Sequence, residues 1–180
     1  MKYIALLRGV NISGKNKVPM KELKTYLEDL NYKNVTTYLN SGNIIFDTNQ
    51  KPNEIEKNIK TILKDKLNVD TEIYITTKDL LEDLLNNQPD WWGKEDKQIY
   101  DNIIFIIPPK TYNEVYNILG IPNQKLEKIK EYKNNIFWSY ILKEYRKTNW
   151  WSKTAQKDVN KYITIRTANT IKKVLEIARG

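Results

Sequence analysis

The chain has 180 residues, 40% of them hydrophobic, a size that suits one compact domain or two small ones. It contains no cysteine and no histidine, which excludes disulfide scaffolds, thiolate nucleophiles, Ser-His-Asp triads and Cys/His zinc sites. The net charge is +8, and residues 89–180 carry most of it, with 17 basic against 10 acidic residues.

The first part of the chain, residues 1–77, has the pattern of a βαββαβ unit. An alternating, β-rich strand at 3–10 is followed by an amphipathic helix that begins near Pro19. Two strands at 34–39 and 43–48 form a hairpin across an Asn-Ser-Gly turn. A long amphipathic helix and a strand at 71–76 complete the unit. This order is the split-βαβ arrangement of ferredoxin-like folds.

The remainder repeats that order less regularly. Residues 78–98 are predicted to form a helix and a polar connector, and 99–180 a second α+β unit. Its predicted elements are a strand at 99–107, a helix capped by Thr111, a hairpin at 125–132 and 136–141, a helix at 143–157, a strand at 162–165 and a C-terminal helix. We therefore predict an α+β protein in which a ferredoxin-like unit precedes a second, less regular ferredoxin-like unit.

The loop after the first strand matches the phosphate-loop pattern G-x-x-x-x-G-K-[ST] at every position except the last. Asn16 stands where the hydroxyl residue is required, the helix begins only near Pro19, and the sheet is antiparallel, so a nucleotide-hydrolysing loop is disfavoured. A looser anion site remains open because glycines expose backbone amides, while Arg8, Lys15 and Lys17 add positive charge. The alternative is a flexible connection with solvated lysines.

The hairpin turn carries polar groups that could meet a ligand. Ser41 has a hydroxyl group, and Asn43 an amide that could orient a ligand. The alternative is an ordinary tight turn, because Asn and Gly accept positive φ.

A basic and aromatic span in the second half suits single-stranded nucleic acid, since cations follow phosphates and aromatic rings stack on bases. The residues concerned are Lys143, Arg146, Lys147, Trp150, Trp151 and Lys153. In the alternative interpretation the two tryptophans are core residues on a helix with a solvated lysine face. Compositional bias is a further explanation, because lysines make up most of the basic residues.

Several segments together resemble a known bacterial family. They are LLRGVN (6–11), GKNKVPM (14–20), TY (37–38) and SGNIIF (41–46), which are similar to LLRGINVGGKNKVPM and TYIQSGNVVF of domain-of-unknown-function family 1697. Members end with a segment like TRNWNTV, which Arg166, Asn169 and Thr170 match and Thr167 and Ala168 do not. The resemblance implies a small cytoplasmic bacterial protein with ferredoxin-like subdomains, and no established activity, substrate or cofactor.

The family pattern favours one polar site formed by the first loop and the first hairpin. The predicted residues are Arg8, Asn11, Lys15, Ser41 and Asn43. Arg8 and Lys15 would hold charge, Ser41 would donate a hydrogen bond and Asn43 would orient the ligand. The predicted function is a binding module for an anionic partner, either a small molecule or nucleic acid.

Two other functions stay open at this point. One is an enzyme acting on a phosphorylated or carboxylated small molecule without His, Cys or zinc, and the other is nucleic-acid binding through the basic C-terminal half. We expect no cofactor and no metal. We also expect no membrane span, because no stretch of the sequence approaches the ~20 apolar residues that a span needs. A homodimer through an exposed sheet face or edge stays open.

Overall fold

The computed structural model describes residues 1–180. The chain forms two compact units, one made of Met1–Glu82 with Val174–Gly180 and the other of Asp83–Lys173. The sequence prediction placed the entire last helix in the second unit, whereas the compact units divide it at Val174.

The first unit is built around a four-stranded antiparallel sheet with the strand order β2-β3-β1-β4. Its elements are β1 (Lys2–Leu7), α1 (Met20–Asp29), β2 (Lys33–Tyr38), β3 (Asn43–Asp47), α2 (Pro52–Leu67) and β4 (Ile73–Thr77). α3 (Lys78–Asn86) follows directly, and its first turn is capped by Thr77, whose Oγ1 accepts from the Leu80 amide at 3.2 Å.

Strand alternation directs one face of this sheet toward the two helices. Tyr3, Ala5 and Leu7 of β1 point to that side and belong to the core. The helices close the core with apolar residues at helical spacing, which are Met20, Leu23 and Leu27 of α1 and Ile55, Ile59, Ile62 and Leu63 of α2.

The second unit repeats the topology with the order β6-β7-β5-β8. Its elements are β5 (Ile99–Ile106), α4 (Tyr112–Leu119), β6 (Glu127–Tyr132), β7 (Asn135–Ile141), a 3₁₀ helix (Leu142–Lys147), α5 (Trp151–Thr154), α6 (Lys157–Asn160), β8 (Ile163–Thr167) and the part of α7 (Ala168–Arg179) that precedes Val174. The predicted α+β class with two ferredoxin-like units is confirmed.

No helix combines the length and the apolar character that a membrane span would need.

The single helix predicted over 143–157 is wrong. The segment consists of three short helical pieces, because Thr148 and Gln156 adopt extended backbone angles, with ψ of 153° and 145°. Thr148 Oγ1 donates to the Tyr145 carbonyl at 2.7 Å and accepts from the Trp151 amide at 3.2 Å. The threonine side chain thus competes with the helical hydrogen bonds and starts a new turn.

Candidate functional site

The first loop and the first hairpin meet at one corner of the first sheet. The Leu7 amide donates to the Gly42 carbonyl at 2.8 Å, so β1 and the hairpin turn remain paired one step beyond the regular ladder. Arg8 and Ser41 are the next residues on the two strands. Since consecutive Cα atoms are ~3.8 Å apart, the Cα atoms of Arg8 and Ser41 lie within about 13 Å of each other.

Gly42 makes this close pairing possible. It has φ of +80°, and a Cβ atom there would lie 2.6 Å from the Leu7 Cβ and 2.8 Å from a Val10 methyl group. Both the positive φ and the close approach of the Leu7 and Val10 side chains therefore favour glycine at this position.

Arg8 is half-buried beside β4. Its amide donates to the Glu72 carbonyl at 3.0 Å and its carbonyl accepts from Thr71 Oγ1 at 2.5 Å. Burial lowers the pKa of the Arg8 guanidinium, and the Glu72 carboxylate partly opposes that shift. Because arginine starts from a very high pKa, Arg8 stays positively charged at neutral pH.

The loop itself folds back on a tight turn. The Lys15 amide donates to the Ile12 carbonyl at 2.9 Å, and the intervening Ser13 and Gly14 have φ of 48° and 77°. Two consecutive positive φ values are typical of a type I′ turn. The turn holds Lys15 at an exposed tip.

Asn11 connects this loop to the hairpin. Its Nδ2 donates to the carbonyls of Val18 at 3.0 Å and Asn40 at 2.7 Å, and its Oδ1 accepts from the Val18 amide at 2.8 Å. The side chain predicted to touch a ligand is therefore engaged in holding two loops together.

Asn43 has a similar positioning function. It is fully buried, and its Nδ2 donates to the Tyr38 carbonyl at 2.7 Å and to Ser41 Oγ at 3.0 Å. Asn43 therefore orients the exposed Ser41 hydroxyl group.

Beside this corner the surface contains a depression of about 420 Å³. It is lined by Asn11, Gly14, Lys17, Val18, Pro19, Met20 and Asn40. α1 begins there with Pro19 at its N-cap and with no side chain that caps the first turn. Asn40 and the start of α1 were not assigned to the site from the sequence. Pro19 was the available signal, because a proline at the N-cap has no side chain that can cap the helix.

The equivalent corner of the second unit is closed by the protein itself. Asn134, in the β6–β7 turn, accepts from the Tyr112 amide at 2.6 Å through Oδ1 and donates to the Lys110 carbonyl at 3.0 Å. Thr111 and Glu114 form a capping box at the start of α4, as the predicted Thr111 cap requires. The amides that open α4 are thus satisfied by side chains of the same chain.

The predicted basic and aromatic span divides between core and surface. Trp150 is fully buried, and its Nε1 donates to the Gly120 carbonyl at 2.8 Å, which corrects its assignment to a nucleic-acid-binding surface. Lys153 donates to the Leu119 carbonyl at 2.8 Å, and Lys147 pairs with Glu144 at 2.6 Å. Trp151 is exposed, as are Lys143 and Arg146.

The segment that resembles the family's terminal motif is largely structural. Arg166 is buried in β8, where its Nη1 donates to Thr164 Oγ1 at 2.8 Å and to the Ile165 carbonyl at 2.9 Å. Burial lowers the pKa of the Arg166 guanidinium to about 10. Thr167 Oγ1 accepts from the Thr170 amide at 3.3 Å and caps α7. No three acidic side chains come together in a geometry that could hold a metal ion.

Comparisons with known proteins agree with this architecture. A family model described as "Protein of unknown function (DUF1697)" matches residues 1–137. A solved structure of a conserved bacterial protein from Streptococcus pneumoniae is 27% identical in sequence, with a TM-score of 0.85 and coverage of 98% of each chain. No curated protein sequence matches the chain.

Proposed function

Since the chain belongs to DUF1697, a family of proteins of unknown function, its activity must be inferred from its own geometry, and we propose that it is a binding module for an anionic ligand. The ligand would sit at the corner formed by the first loop, the first hairpin and the start of α1.

One observation carries this proposal: the 420 Å³ depression brings Lys17 next to the uncapped first turn of α1. The first amides of a helix have no partner within the helix and carry the positive end of its dipole. Such amides bind phosphate and carboxylate groups readily, and a nearby lysine adds a full positive charge.

The comparison between the two units supports the same conclusion. In the second unit, an oxygen of Asn134 meets the first amide of α4, and Glu114 completes its cap. In the first unit no side chain takes that place, and the connection from β1 to α1 is longer, spanning residues 8–19 instead of 107–111. An external oxygen acceptor would therefore find donors in the first unit that the second unit satisfies internally.

The predicted residues take distinct parts in this proposal. Arg8 and Lys15 would add positive potential to this corner, and Ser41 follows Asn40, which lines the depression. Asn11 and Asn43 act as positioning residues, because their amides hold Asn40 and Ser41.

Calorimetric titration of the full chain with inorganic phosphate and pyrophosphate at low ionic strength tests the proposal. Lys17→Gln should weaken binding about tenfold, the effect of losing about 1.4 kcal/mol of charge-assisted interaction. Lys64→Gln is the matched control, because Lys64 is an exposed lysine on α2 of the same unit and lies outside the depression. The proposal is wrong if neither anion binds, if Lys17→Gln binds as tightly as the wild type, or if Lys64→Gln weakens binding as much as Lys17→Gln does.

A further inference from the structure

Two adjacent tryptophans in the second unit point in opposite directions. Trp150 belongs to the core, where its ring contacts those of Tyr116 and Trp138 at centroid distances of 6.0 and 6.3 Å. Trp151 has 41% of its surface exposed, and its only ring contact is with Tyr145, edge to face at 4.6 Å. A large aromatic ring is therefore held at the surface without belonging to the core.

The segment that carries Trp151 is firmly anchored. Thr148 links the Tyr145 carbonyl to the Trp151 amide through its hydroxyl group. The amide of the next residue, Asn149, donates at 2.7 Å to Glu127, a buried carboxylate that also accepts from Trp138 Nε1 at 3.1 Å. A surface ordered in advance loses little conformational entropy when a partner binds.

The segment that carries this aromatic pair is rich in basic residues. Residues 142–154, which carry both rings, contain four basic residues and one acidic residue, Glu144, which forms an ion pair with Lys147 at 2.6 Å. Arg146 lies over the Tyr145 ring at 5.4 Å and donates from Nε to the Tyr145 hydroxyl at 2.9 Å, so its terminal nitrogens remain available to a partner. Lys143 is exposed and forms no ion pair.

We propose that Tyr145, Arg146 and Trp151, with Lys143, form a stacking site for single-stranded nucleic acid. The exposed ring of Trp151 stacks on an unpaired base, and Arg146 and Lys143 contact the phosphates on either side. Charge complementarity selects a polyanion, and the exposed aromatic face selects one that carries planar rings. The site lies in the second unit and is independent of the anion site proposed in the first unit.

The test is fluorescence anisotropy of a labelled single-stranded oligothymidylate with the full chain, at several salt concentrations. Trp151→Ala should weaken binding by about 5- to 150-fold, the range expected for the loss of one base–aromatic stack. Arg146→Gln should reduce the slope of log K against log salt by about 0.7, the value for one phosphate contact on a single strand. Trp151→Phe keeps an aromatic face and should recover most of the affinity.

Leu142→Ala is the matched control for lost apolar surface. Leu142 is as exposed as Trp151, at 41%, and lies in the same region of the second unit, but it has no aromatic ring. It should leave the affinity unchanged, and thermal melts should show that all variants are folded.

Three results would overturn the proposal. One is the absence of oligonucleotide binding at low salt, and another is wild-type affinity for Trp151→Ala. The third is equal affinity for heparin, polyglutamate and the oligonucleotide, which would indicate a general polyanion surface without base stacking. Two crossed titrations distinguish a failure of this site from a failure of the first-unit site. Trp151→Ala should bind phosphate as tightly as the wild type, and Lys17→Gln should bind the oligonucleotide as tightly as the wild type.

Discussion

Replacement of Asn11 by alanine removes the side chain that joins the first loop to the hairpin. Three hydrogen bonds are lost, and each contributes about 0.5–1.5 kcal/mol net to stability. Asn11 also has φ of 56°, a conformation that costs alanine about 1 kcal/mol. Since the carbonyl of Asn40 is close to solvent, water compensates part of the loss, and we expect destabilisation of about 2–4 kcal/mol.

Urea unfolding, monitored by far-UV circular dichroism, measures this change in the free energy of unfolding. All five tryptophans lie in the second unit, so tryptophan fluorescence recorded in the same titration follows that unit separately. Asn11→Gly is the control, because it removes the same hydrogen bonds but accepts a positive φ, and it should lie within about 1 kcal/mol of Asn11→Ala. A free energy of unfolding for Asn11→Ala within about 0.5 kcal/mol of the wild type would refute the assigned role.

Three further predictions follow from other contacts. Gly42→Ala should cost more than about 2 kcal/mol in urea unfolding, because its Cβ would lie 2.6 Å from Leu7 Cβ, whereas Gly14→Ala, with φ of +77° and no atom within 4 Å, should cost only about 1 kcal/mol. Equal losses at the two glycines would contradict the steric explanation. Glu127→Ala leaves three N–H donors without their buried acceptor and should cost at least about 3 kcal/mol, with Glu127→Gln recovering part of the loss. A thermal-melt difference corresponding to less than 1 kcal/mol would count against the assigned role of this carboxylate. The pKa of Glu114 is lowered from 4.5 to about 2 by Lys110 and Thr111, so its contribution to stability is complete above pH 4.5 and is lost as the pH falls toward 2. The difference in urea midpoint between the wild type and Glu114→Gln should therefore shrink across that range, and a constant difference would contradict the prediction.

Local sequence patterns predicted most of the fold. Alternation in β1, the helical spacing in α1 and α2, and the Asn-Ser-Gly turn before β3 each appear at the expected place. These patterns work because they depend on residues a few positions apart. The prediction failed over 143–157, where Thr148 ends one turn and begins another through contacts of its own side chain. The residue composition of 143–157 gave no signal of that break.

The sequence by itself determined the α+β class, the repeated βαββαβ order and the exclusion of cysteine and histidine chemistry. Only the tertiary structure decided what the polar residues do. Asn11 reaches a carbonyl 29 residues away, and that distance along the chain leaves no periodic pattern. The same holds for Trp150 and Trp151, which are adjacent and identical in type, yet one is in the core and the other at the surface. Their difference arises from the direction in which the folded backbone presents each side chain, which composition and spacing do not encode.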